Sequence, residues 1–229
     1  MTDAAEPKVQ RERLIDHFKA TYQIVVGIAI TIACTNLYAD GVIRFPPDIS
    51  FWTFCIFFIT VMPIFHGGDR SLDIKYLHVQ PKGFWGRVFY LWDFYALVIT
   101  GILFVKIAQV IPGAPSSPPI AGQAVAGTTT PASFYLWMTI VLAFDVIVLT
   151  VDGIKSDHCK FYGVESKLFK VYGKWIAFNV IFALICVAAI YQPTVCPSLS
   201  VTATAAIVFI FAVARTVLDY MFGGEFMFP

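Results

Sequence analysis

Six blocks of apolar residues, at 20–38, 49–65, 89–111, 132–151, 175–191 and 199–214, run through the chain between polar segments. Each is about 16 to 23 residues long, close to the ~20 that a helix rising ~1.5 Å per residue needs to cross ~30 Å of hydrocarbon. The pattern predicts an all-α polytopic membrane protein, a single bundle of six transmembrane helices. Ahead of the first block, Leu14, Ile15, Phe18 and Tyr22 recur three to four positions apart opposite a charged face, the period of an amphipathic helix. That segment either lies in the membrane interface or prolongs the first span. The expected division is an amphipathic N-terminal helix over 1–19, the six-helix domain over 20–219 and an aromatic tail over 220–229.

Charge then gives the bundle a direction. Lys8, Arg11, Arg13 and Lys19 precede the first block, and the second and fourth loops hold Arg70, Lys75, Lys82, Arg87 and then Lys155, Lys160, Lys167, Lys170, Lys174. Arg215 follows the last block, Arg44 alone lies in the first loop, and the third and fifth loops have no basic residue. Short cytoplasmic loops retain lysine and arginine, so both termini and the even-numbered loops are expected in the cytoplasm. An odd number of crossings would put one basic cluster on the wrong side. A composition of 58% hydrophobic and 14% charged residues, with a mean hydropathy of +0.74, lies outside the range of soluble domains. The polar first nineteen residues lead to no small-residue cleavage site, so the first span is expected to stay as an anchor. A bacterial inner membrane is the expected location.

The chemistry that stands out is a set of ionisable residues at one depth. A charge in hydrocarbon costs a few kcal/mol or more, so such residues turn toward the bundle interior and often mark function. His66 and Arg215 fall ~24 Å below the external start of their spans, and Asp93 and Asp145 also fall in the cytoplasmic half. Just beyond come Asp69, Arg70, Asp152 and Asp219. Asp145 and Asp152, seven apart, share a helix face; Arg215 and Asp219, four apart, can pair along theirs, as can His66 and Arg70 if the helix survives Gly67 and Gly68. Acids outnumber bases. Two readings stand: a structural girdle of ion pairs, or an ion path or coupling site in which Asp145 must meet Arg215, His66 or water.

Other features weigh less. Lys106 sits near the external end of its span, where its stem can carry the ammonium to the interface; a pore-lining cation is the alternative. The segment HGGDR matches no catalytic motif, and its glycines suit a helix end or a sharp turn at the membrane surface. No histidine partners His66 at its depth, so no haem, metal or other cofactor is expected. The five tryptophans near span ends read as interfacial anchors. The small residues of the last block, Thr202 to Ala206 with Ala212 and Ala214, suit close helix packing or a pore wall.

No catalytic signature names a reaction. The leading expectation is a homo-oligomeric ion channel or membrane effector. The alternatives are a sensor or scaffold subunit, and a head-group enzyme or small transporter at the cytoplasmic face. Expected partners are the lipid bilayer, further copies of the chain, and a protein binding the N-terminal helix or the C-terminal tail; nucleic acid is not among them.

Overall fold

The structure, a computed structural model, describes residues 6–38, 47–77, 83–112, 130–158 and 167–223. They form six α-helices: α1 (Glu6–Leu37), α2 (Ile49–Leu72), α3 (Gly83–Gln109), α4 (Pro131–His158), α5 (Lys167–Val195) and α6 (Val201–Phe222). All six are long and apolar enough to cross a membrane. Among the described residues there is no strand. The proline-rich loop over 112–131 lies mostly outside the described residues, as do the tail beyond Gly223 and the 159–166 part of the fourth loop.

The helices start where the sequence supplies caps. The side chain of Asp48 accepts from the amide of Phe51 at 3.0 Å, and Ser200 accepts from Ala203 at 3.1 Å; caps of this kind contribute about 1 kcal/mol each. The amphipathic N-terminal stretch is not a separate element. It continues the first span as one helix, α1, with Ile15 and Tyr22 buried and Phe18 tilted against Phe94 at 4.1 Å between ring centroids; Leu14 points outward.

In the ring of helices α1 packs on α3, α3 on α4, α4 on α5, α5 on α6 and α6 on α2, which closes the ring on α1 and also touches α3 and α4. Helix α2 is the most enclosed: 44% of its membrane window is buried, against 22–28% for the others. The remaining faces carry exposed apolar side chains such as Ile28, Ile102, Ile181 and Ile210, as a lipid-facing surface requires.

Close approach of α1 and α3 depends on a glycine. A Cβ at Gly101 would meet Val25 Cγ1 at 2.8 Å, and one turn beyond Phe104 the Asn36 amide donates to the Ala108 carbonyl at 2.8 Å. The last two spans form a tight hairpin, closed by Gln192 Nε2 donating to the carbonyls of Cys196 and Leu199. In α6 the buried positions Thr204, Ala205, Val208, Ala212, Arg215 and Asp219 make one stripe. Its small members pack against neighbouring helices rather than surrounding an open channel.

The core is divided along the membrane normal. Six crossings bring both termini to one end; toward the other end, Phe57, Phe104, Ile107, Phe134, Tyr135, Met138 and Phe182 are fully or almost fully buried and fill the interior. Toward the termini the interior is polar.

Candidate functional site

At the termini end the helices leave a cavity of about 90 Å³. It is large enough to hold water. Helix α2 lines it with Pro63, Ile64, Gly67, Gly68, Ser71 and Leu72, a stripe at three-to-four-residue spacing. The helix runs straight through Gly67 and Gly68, so the sharp turn or helix end expected there is not formed. Packing is close here: a Cβ at Gly68 would stand 2.7 Å from Leu97 Cδ2 and 3.6 Å from Tyr22, so the glycine lets α1 and α3 close in at this level. Past Leu72 the chain widens into a π-helical turn, Asp73–Leu77, and this turn carries Lys75 to the cavity.

Two polar groups meet at the cavity. In the first, Lys75 Nζ donates to Asp152 at 2.5 Å and to Asp93 at 3.2 Å, while Tyr76 Oη donates to the same Asp93 oxygen at 2.5 Å. One cation thus joins the end of α2 to α3 and α4. Burial alone would lower the proton affinity of Lys75, but the carboxylates of Asp152 and Asp93 outweigh it and hold the ammonium above the ordinary lysine range.

In the second group, Arg215 donates through Nε (2.9 Å) and Nη2 (2.6 Å) to Asn179 Oδ1, and Asn179 Nδ2 donates to Asp145 at 2.6 Å. Arg215 Nη2 also lies 3.3 Å from Asp219, one turn along α6. The neutral carboxamide therefore bridges Arg215 and Asp145. Three polar atoms on side chains at least nine-tenths buried have no hydrogen-bond partner here: Arg215 Nη1, Asp219 Oδ1 and Tyr22 Oη. All three residues line the cavity.

Of the residues expected in the polar layer, Asp93, Asp145, Asp152, Arg215 and Asp219 line this cavity, four carboxylates from α3, α4 and α6 among them. Asp69 belongs to a separate cluster on another face of α2: Lys19 of α1 lies 3.1 Å from it and 2.9 Å from Asp73, with Arg70 4.0 Å from Asp73. His66 sits beside Tyr220, 6.2 Å between ring centroids. Neither His66, Asp69 nor Arg70 is among the lining residues. Lys106 is exposed in the last turn of α3, at the opposite end. Trp175, expected to anchor in the interface, is buried against the cavity, where its ring leaves no room for a side chain at Gly223.

Two residues that organise the site do not stand out in the sequence. Lys75 reads there as one of several loop charges, and Asn179 is a neutral amide inside an apolar block. Its signal is present all the same: a buried carboxamide amid a span of apolar residues needs partners on other helices. Comparison with family models, with curated proteins and with solved structures finds no match to this chain.

Proposed function

We propose that this integral membrane protein is a homo-oligomeric cation channel or effector whose working element is the acidic cavity, entered from the cytoplasm. The observation that carries the reading is the charge of that cavity: among the described lining residues four carboxylates face two side-chain cations, inside a bundle where each unpaired charge is costly. An excess of acid behind low-dielectric walls concentrates cations and repels phosphate head groups, which favours ion handling over head-group chemistry. The cytoplasmic direction rests on the concentration of lysine and arginine at the termini end.

In this conformation the cavity is one-ended. The ring-packed half around Phe57, Phe104 and Tyr135 closes the other side, so passage needs a second arrangement of these helices or a route between subunits. The test is ion flux from liposomes holding the purified protein. Flux is expected for the wild type and its loss for Asp145→Asn, with the variant's helix content and oligomeric mass unchanged. Equal flux in both, or none above empty vesicles in the wild type at any pH or voltage, rejects the reading.

A further inference from the structure

Lys75 occupies the place of a ligand. Its ammonium is held by two carboxylates from different helices, Asp152 at 2.5 Å and Asp93 at 3.2 Å. Neither belongs to the helix that delivers it. We propose that Asp93 and Asp152 form a binding site for a free monovalent cation, and that Lys75 is a tethered competitor which the cation displaces. The inference rests on the cation reading of the cavity given above and assigns that reading its binding residues.

Three observations support it. First, Lys75 arrives on a five-residue π-helical turn at the end of α2. Such turns are rare and concentrate at functional sites. Each holds an extra residue relative to an α-helix, so relaxing this one re-aims the residues within it, Lys75 among them, about the helix axis. Second, the base of the turn is fixed from outside, because Lys19 of α1 holds Asp69 and Asp73. A change in the turn therefore moves Lys75 against a stationary α1–α2 contact. Third, the cavity offers oxygens that Lys75 does not use: Asp219 Oδ1 and Tyr22 Oη, both on deeply buried side chains and both without a partner. A cation with water around it can engage them, whereas a tethered ammonium serves only the Asp93–Asp152 pair.

Charge balance sets the ligand class. Among the described lining residues, removing the lysine leaves Arg215 with four carboxylates, and one added monovalent cation replaces the charge withdrawn. A short tether holds a competitor at an effective concentration in the millimolar range, so the wild-type site should be weak and readily exchanged.

The experiment is calorimetric titration of the purified full chain in lipid nanodiscs with lithium, sodium or potassium chloride, at ionic strength held constant with choline chloride. Lys75→Met keeps the length of the side chain and removes its charge. It should tighten binding of at least one of these ions about tenfold or more, and adding Asp152→Asn should abolish the gain. A folded Lys75→Met protein that binds none of them more tightly than the wild type overturns the proposal. A second measurement needs no variant: labelling of wild-type Lys75 by an amine-reactive ester, read by mass spectrometry with Lys19 as the internal reference. Labelling of Lys75 should rise with the bound cation, and labelling that stays flat across the titration overturns the proposal even where Lys75→Met does not fold. Cation binding without liposome flux would keep the site and discard the channel.

Discussion

The hydroxyl of Thr216 on α6 donates to the carbonyl of Ile59 on α2 at 2.9 Å. That carbonyl is the one left without a helical donor by Pro63, four residues on, which has no N–H to give. In a membrane an orphaned carbonyl finds no water, so the neighbouring helix supplies the missing bond.

Thr216→Val should therefore destabilise the bundle by about 1 kcal/mol, within the range measured for interhelical hydrogen bonds. In a Pro63→Ala background, where an amide is again present, the same substitution should cost less. Unfolding by denaturing detergent of the two single variants and the double variant gives the coupling; purely additive costs would contradict the account.

Asn179→Ala should be more damaging. It removes the acceptor of both Arg215 bonds and the donor to Asp145, leaving buried charged groups short of hydrogen bonds at a cost of about 2–3 kcal/mol. Thermal unfolding in nanodiscs should show a large loss for Asn179→Ala, and Asn179→Leu should not restore it despite its similar volume.

Lys75 gives a pH test with a definite sign. Its folded-state proton affinity lies above the ordinary lysine value of 10.5, so the stability it contributes is fully present below that value and is lost as pH rises through the folded one. In choline buffers, the difference in melting temperature between wild type and Lys75→Met should stay constant from neutral pH to about 10.5 and shrink only above it. A difference that already narrows between pH 7 and 9 would mean that the lysine is not held by the two carboxylates.

Two glycines should respond in opposite ways. A methyl group at Gly101 meets Val25, a stiff β-branched side chain, at 2.8 Å, so Gly101→Ala should cost about 1–3 kcal/mol by overpacking. A methyl at Gly27 meets nothing within 4 Å, so Gly27→Ala should be neutral or mildly stabilising, since alanine loses less backbone freedom in a helix. Parallel detergent-unfolding curves of the two variants decide the matter.

The six crossings are legible in the sequence because length and hydropathy suffice to mark a membrane helix. Depth along each span then singles out Asp93, Asp145, Asp152, Arg215 and Asp219, which line one cavity, and the spacing of Arg215 and Asp219 anticipates their pairing. What a linear sequence lacks is rotation about the helix axis. His66, Asp69 and Arg70 share the level of the cavity yet point elsewhere, since consecutive residues of α2 fan around its axis by about 100° each. Lys75 is hidden for another reason: Gly67 and Gly68 suggest a break, while the helix continues through them to Leu72 and the π turn brings the lysine back inward. Asn179 carries no charge, and a search by charge passes over it.

The split between a ring-filled half and a polar half also decides where a membrane voltage would act. A potential falls mainly across the least polarisable part of a protein, here the layer of Phe57, Phe104 and Tyr135, and not across a chamber lined with ionised groups. Moving one elementary charge through the full potential involves about 2.3 kcal/mol per 100 mV. On the proposed channel reading, an ion reaching Asp93 and Asp152 from the termini end would feel little of that work and one crossing the aromatic layer nearly all of it, so voltage would govern passage while leaving occupancy of the chamber almost untouched.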